Sequence, residues 1–170
     1  LDQDAARTLC ETFQQHQLRK TYYCVTRGWA PLEGVCDRAL TSDVPGAEPK
    51  EALTRFWRVG TVELPHAVGR YPTARYSLIK VEPQTGRMHQ IRRHLAGLSH
   101  PLLGDTTYGD TQHNRFFREH LGIRPLMLKA YSLEFPHPVT GEKLRIHAKW
   151  NTPWHQIFDV FGVCPFHGMS

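Results

Sequence analysis

Apolar and polar positions along the chain follow two periods, and together they divide the sequence into elements. Leu1, Ala5, Leu9 and Phe13 recur every fourth position. That predicts a helix over residues 2–17, with Asp2 and Asp4 in its first turn, where negative charge is favoured. Residues 20–29 are rich in Tyr, Thr and Val and close on Gly28. They predict a strand with Tyr22, Cys24 and Thr26 on one face and Tyr23 and Val25 on the other. Residues 41–54 carry Pro45, Gly46 and Pro49 beside the acidic Asp43, Glu48 and Glu51, the composition expected of a mobile surface loop. Residues 55–63 and 75–82 are two more strands, connected through Pro65, Gly69 and Pro72.

Beyond residue 86 the period changes to helical over 87–98, and His100-Pro101 with Gly104-Asp105 breaks it. A short helix over 111–121 is expected to stop at Gly122. Residues 128–135 and 143–150 flank a turn and predict an antiparallel hairpin. In its second strand Leu144, Ile146, Ala148 and Trp150 alternate with Arg145, His147 and Lys149, as on a half-exposed sheet. Thr152-Pro153 opens a last helix whose apolar face is Trp154, Ile157, Phe158 and Phe161, ending before Gly162. Strands outnumber helices and do not alternate with them regularly. The predicted fold is therefore α+β, a largely antiparallel mixed sheet with flanking helices, in a single domain over 1–170.

The length of 170 residues, with 40% hydrophobic and 22% charged, suits one globular core, and no apolar run is long enough to span a bilayer. The first residues lack the basic and apolar regions of a secretion signal, and the expectation is a cytoplasmic chain. The absence of a starting Met hints at a piece of a longer protein. Cys10, Cys24, Cys36 and Cys164 show neither a C-x-x-C pair nor a dense framework, so they are expected to be buried free thiols. Charge sharpens the picture. Residues 1–64 hold 8 Lys/Arg against 9 Asp/Glu, whereas residues 65–170 hold 13 against 7, a concentration of positive charge that suits a polyanionic partner such as nucleic acid.

The densest basic cluster is Arg87-Met88-His89-Gln90-Ile91-Arg92-Arg93-His94. On a helix turning about 100° per residue, Met88, Ile91, Leu95 and Leu98 define a buried face. Arg93 lies about 180° from its centre, in solvent, where it could meet a phosphate. Arg92 falls about 80° from the centre, at the rim of the apolar stripe, where its stem can be buried and its guanidinium must find an anion. Arg87 suits the strand-to-helix turn, and His89 and Gln90 could bind a base edge or sugar or cap neighbouring loops. A solvated basic face is the competing account. A metal set of His89, His94 and His100 is disfavoured, since His89 and His94 fall about 140° apart around the axis.

The run Thr85-Gly86-Arg87-x-His89-Gln90-Ile91-Arg92-x-His94, with His100-Pro101-Leu102-Leu103-Gly104-Asp105 and Tyr108-Gly109 after it and Lys20-Thr21-Tyr22 before it, resembles the RluA-type pseudouridine synthases. The resemblance extends over nearly the whole chain. In Gly69-Arg70-Tyr71-Pro72-Thr73-Ala74-Arg75-Tyr76 it is closest to members that modify a uridine in the tRNA acceptor stem. It implies an RNA partner, tRNA foremost, and isomerisation of a uridine to its C-glycoside without cofactor or metal. It implies no protein partner. It assigns Tyr22 to stack on the flipped base and assist proton removal, and Arg92 to pair with a catalytic aspartate. Lys20, Arg87, His89, Gln90, Arg93 and His94 become candidate RNA contacts, and Arg19, Arg70 and Arg75 candidate phosphate holders.

The family's aspartate sits in an H-R-L-D motif that occurs nowhere in these 170 residues. None of Asp2, Asp4, Asp37, Asp43, Asp105, Asp110 or Asp159 has its context. The expectation is therefore the C-terminal part of a synthase catalytic domain, inactive alone, with the partner of Arg92 supplied from upstream. A family member acting on ribosomal RNA, an RNA-binding module without chemistry and a histidine-rich metal domain are the alternatives.

Overall fold

The computed structural model describes residues 3, 6, 7 and 18–164. Gln3, Ala6 and Arg7 are helical, and the rest of the helix predicted over 2–17, like Cys10, lies outside the described residues. The remainder is built on six strands: β1 (Arg19–Arg27), β2 (Glu33–Asp37), β3 (Leu53–Leu64), β4 (Ala74–Pro83), β5 (Leu128–Pro136) and β6 (Lys143–His147). Three helices accompany them: α1 (Gln90–Gly97), α2 (Thr111–His120) and α3 (Thr152–Phe161). The strands form one sheet in the order β2-β3-β4-β1-β5-β6. Every pairing within it is antiparallel, which corrects the expectation of a mixed sheet.

Alternation along the central strands feeds two cores. Tyr23 and Val25 of β1, with Tyr76 and Leu78 of β4, pack against Phe116 and Phe117 of α2 and Trp154, Ile157 and Phe158 of α3. Cys24 of β1, with Ile79 and Val81 of β4 and Phe56 of β3, packs against Ile91 and Leu95 of α1, and Tyr22 joins this second cluster. The two sheet faces are thus both covered, which is why β1 and β4 read as near-continuous apolar runs. At one edge, β6 is mostly exposed and Ile146 is 55% accessible, against the half-buried alternation expected of it. Lys143 and Arg145 there pair with the buried Glu134, placing charge on a strand that would otherwise invite a further partner.

Several expectations shift at element ends. β2 was not foreseen; its Gly34 and two acidic residues carry little apolar signal, and it is held by register with β3. Residues 41–51 form a mostly exposed connection closed by a Leu40–Lys50 bridge. The helix expected over 87–98 begins at Gln90, because His89 adopts a left-handed backbone with φ of 52°, a conformation that interrupts a right-handed helix. Met88 and Leu98 therefore fall off its buried face and are exposed; Gln90 and His94 replace them beside Ile91 and Leu95. Cys24 and Cys36 are buried thiols, but Cys164 is exposed.

Two of these buried polar groups bear on stability. His94 Nε2 lies 2.9 Å from the Arg38 carbonyl and Nδ1 2.8 Å from the Thr54 hydroxyl. A carbonyl only accepts, so the neutral ring with its proton on Nε2 satisfies both contacts. His113 Nδ1 meets the Tyr76 hydroxyl at 3.0 Å. Burial holds both rings below the ordinary histidine range. The unfolded chain then binds protons near pH 6.5 that the folded chain does not take up until lower pH, so stability is full above that value and falls beneath it. The urea midpoint is expected to decline between about pH 7 and pH 5 and to decline less in His113→Gln; a flat midpoint in the parent chain would show that neither ring is kept neutral by the fold.

Candidate active site

The motif that begins at Thr85 acts first as a clasp. The Gln90 amide makes all four hydrogen bonds available to it. Its oxygen accepts from the Thr85 hydroxyl at 2.7 Å and the Arg87 amide at 3.0 Å. Its nitrogen donates to the Leu53 carbonyl at 3.0 Å and the Thr54 hydroxyl at 2.9 Å. A buried amide so satisfied fixes the start of α1 to β3 and to the turn that leaves β4. Gln90 and His94 thus use their polar atoms within the chain, although the resemblance offered them to RNA.

Arg92 emerges from this clamped helix at the rim of the α1 face, as its position around the axis predicts, with its side chain only 14% exposed. Its partner is Asp105. Nε donates to Oδ2 and Nη2 to Oδ1, each at 2.7 Å, in a two-point pair with a carboxylate that has no exposed surface. The expectation that the anion for Arg92 lies outside these residues is corrected to this extent: the first anion it finds is its own chain's. Oδ1 also accepts the amides of Thr107 and Tyr108, both at 2.9 Å. Burial pushes the Asp105 carboxyl up, but the Arg92 bonds and these two amides outweigh it and hold the group below the usual carboxylate range.

Glycine makes that carboxylate's position possible. Gly104 has φ of +75°, and a Cβ there would sit 2.1 Å from the Pro125 carbonyl oxygen. A Cβ on Gly109 would sit 2.0 Å from the carbonyl oxygen of Asp105 itself. The Asn114 side chain of α2 spans the same turn, accepting from the Gly104 amide and donating to the Asp105 carbonyl, each at 2.7 Å. The signal for Asp105 was thus present in the sequence as Gly104-Asp105 and Tyr108-Gly109, two close-approach glycines bracketing a carboxylate.

Around the pair the polar surface is continuous. The Arg92 guanidinium lies over the Tyr108 ring at 5.0 Å, and the Tyr108 hydroxyl is 3.3 Å from His89 Nδ1. Among the described residues Nη1 of Arg92 has no hydrogen-bond partner, so one edge of the fork is left for a second acceptor. Tyr22 is half-buried and packs against the cluster that holds Ile91 and Leu95, placing it on the sheet face covered by α1. Burial pushes its phenol up. Lys20 Nζ lies 3.5 Å from the Thr85 carbonyl, and burial lowers the ammonium. Arg87 Nε donates to the Glu51 carbonyl at 2.9 Å, and His89 is exposed beside it. Arg93, expected in open solvent, is half-buried and donates to the Thr41 carbonyl at 2.8 Å, because the connection after β2 folds back over α1. Arg19 pairs with Glu82 across the sheet. His100 turns its Nδ1 to the Arg27 carbonyl at 3.0 Å, so His89, His94 and His100 serve three separate places.

The family model described as RNA pseudouridylate synthase matches residues 1–97, more than half of the chain. The tRNA pseudouridine synthase C of Pectobacterium carotovorum subsp. carotovorum is 43% identical over 171 residues, covering 95% of this chain and 46% of that protein. The protein of the same name from Yersinia pestis is 42% identical, again over 95% of this chain and over 66% of its own length. The chain thus spans between about half and two thirds of these relatives. In fold it is similar to human RNA Pseudouridylate Synthase Domain Containing 4, with a TM-score of 0.71 at 22% identity over 95% of this chain and 69% of that one. Motif, fold and relatives agree, and the chain belongs to the RNA pseudouridylate synthase family, of the RluA type.

Proposed function

We propose that the protein to which this chain belongs isomerises a uridine of tRNA to pseudouridine, in the acceptor stem, and that Tyr22 and Arg92 are its catalytic residues here. The observation that carries this is Arg92, a rim guanidinium held along one edge by Asp105, with Nη1 unpartnered among the described residues. We place the catalytic aspartate at Nη1, supplied by protein outside these 170 residues, since no H-R-L-D motif occurs within them. On this account the given residues are the C-terminal part of the catalytic domain and are inactive alone. The choice of tRNA follows the names of the Pectobacterium and Yersinia relatives.

The chemistry asks little of the chain besides position. In the isomerisation the bond from C1′ to N1 breaks, one from C1′ to C5 forms, the C5 proton leaves and N1 takes one up, with no net change of atoms. The uridine must first quit its stack at a cost of about a few kcal/mol, which an aromatic ring partly restores. Tyr22 offers that ring. Burial raises its pKa, and the protonated phenol can stack on the base and donate a hydrogen bond. A carboxylate in a water-poor cleft is costly unless a cation faces it, and Arg92 supplies two-point hydrogen bonding that a lysine could not. Lys20, Arg87 and His89 cluster at the N-terminal end of α1 and Arg93 on its outer side, as contacts for flanking phosphates. Gln90 and His94 support them from within.

Full-length protein is expected to form pseudouridine in tRNA, read as release of tritium from 5-tritiated uridine. Turnover should fall about 100-fold or more in Arg92→Lys and Arg92→Ala, because a displaced carboxylate is no longer aligned. Tyr22→Ala should lose activity while Tyr22→Phe keeps much of it. Tritium release by the 170 residues alone would refute the assignment of the aspartate to protein outside them, and turnover on ribosomal RNA but not tRNA would refute the substrate. Separately, Asp105→Asn is expected to lower unfolding free energy by about 3 kcal/mol, the usual consequence of leaving one member of a buried pair alone. A loss under about 0.5 kcal/mol in urea titration would reduce the pair to a surface contact.

A further inference from the structure

A well-formed concavity of the described residues does not involve Tyr22, Arg92 or Asp105. It is an open groove of about 1050 Å³ beyond the far end of β1, lined by Arg27, Trp29, Arg70, Tyr71 and Arg75 among others. Two exposed aromatic rings stand in it, Trp29 at 45% and Tyr71 at 56% accessible. Each carries an arginine. The Arg75 guanidinium is 4.4 Å from the Trp29 ring centre and that of Arg70 is 5.0 Å from the Tyr71 ring centre. Aromatic rings and guanidinium planes are the flat surfaces on which nucleobases stack, and this groove holds two of each.

The groove is preformed. The indole of Trp29 donates to the Val62 carbonyl at 3.4 Å, which fixes the ring's edge. Reciprocal backbone bonds between Val68 and Tyr71 close the turn that presents Arg70 and Tyr71. Its charges are unevenly matched. Arg27 is paired with Asp110 and Arg75 with Glu63, whereas Arg70 has no carboxylate among the described residues and bonds only to the Tyr71 hydroxyl at 2.9 Å. A site offering stacking surfaces together with an unneutralised guanidinium is complementary to a base and its phosphate.

We propose that this groove is a second RNA subsite, holding an unpaired nucleotide of the substrate by stacking on Trp29 and Tyr71 and by a phosphate contact to Arg70. The inference rests on the proposed RNA substrate. It places that nucleotide well away from the target uridine. Tyr22 and Arg27 are five positions apart on one strand, about 17 Å at ~3.4 Å per residue. The two side chains lie on opposite faces of the sheet, so RNA joining the sites spans at least roughly five stacked nucleotides.

The test uses the full-length protein with tRNA and with a short single-stranded oligoribonucleotide. Trp29→Ala and Tyr71→Ala are each expected to raise KM for tRNA and Kd for the oligonucleotide about 10-fold, the effect of losing one stacked base. Arg70→Glu, an exposed change that leaves the core intact, should weaken both, and Arg70→Ala should reduce the slope of log Kd against log salt by about one. Arg115→Ala removes another exposed charge, on α2 outside the groove, and should leave Kd within about twofold. Unchanged KM and Kd in the Trp29, Tyr71 and Arg70 variants, with pseudouridine still formed, would overturn the subsite and leave the proposed function standing. An equal loss in Arg115→Ala would also overturn it, by showing diffuse attraction. Groove-dependent oligonucleotide binding without any isomerisation would sustain the subsite and remove the function.

Discussion

The buried pair of Asp105 and Arg92 is the constraint on which the site depends. A carboxylate with no exposed surface is tolerable only when its hydrogen-bonding capacity is met, and here a bidentate guanidinium and two backbone amides meet it. The pair ties α1 to the turn that follows it, and Asn114 ties that turn to α2. Helices on opposite faces of the sheet are thereby joined through one polar node. An arginine fixed along one edge loses most of its side-chain freedom before any second anion arrives, so little ordering remains to oppose binding there.

How much of this the sequence discloses depends on the range of the interactions. The position of Arg92 at the apolar rim follows from a helical angle, which is local, and the helix around Ile91 and Leu95 bears it out. The central strands, α2 and α3 are legible for the same reason, each carrying a period and a stop such as Gly122 or Gly162. What stays hidden is set by partners far along the chain. Gln90 and His94 look like surface polar residues until Thr54 and Arg38, from β3 and the connection after β2, bury them. Arg93 looks solvent-facing until the Thr41 carbonyl reaches it. β2 shows little because its pairing with β3, not its own composition, makes it a strand. Asp105 was set aside for lacking a motif's context, though the glycines around it encode a tight turn in which Gly104 meets the Pro125 backbone and Gly109 that of Asp105.

The arginines separate into two electrostatic classes. Arg92 acts in a desolvated setting against buried acceptors, where screening by salt is weak and geometry dominates. Arg70 and Arg75 stand in solvent on aromatic rings, where a phosphate contact is screened and replaceable. A fold that needs both gains from keeping them apart. In the proposed subsite the exposed arginines would orient RNA at the far end of β1, apart from the buried pair of Arg92 and Asp105.

The same pair sets the character of the proposed catalytic aspartate. A lone arginine beside a carboxylate lowers its pKa and makes it a weaker nucleophile and base, because the full positive charge favours the anion. Arg92 already stands paired with Asp105, which the Arg92 bonds and then the amides of Tyr108 and Thr107 hold ionised. An aspartate approaching Nη1 therefore meets directed N–H donors more than net charge. It is oriented without being strongly quenched, and the second carboxylate nearby opposes excess stabilisation of its anion. Asp105 in this way does for Arg92 what Arg92 is proposed to do for the catalytic carboxylate: it fixes geometry while tempering charge, from a turn whose close backbone approaches need glycine at 104 and 109.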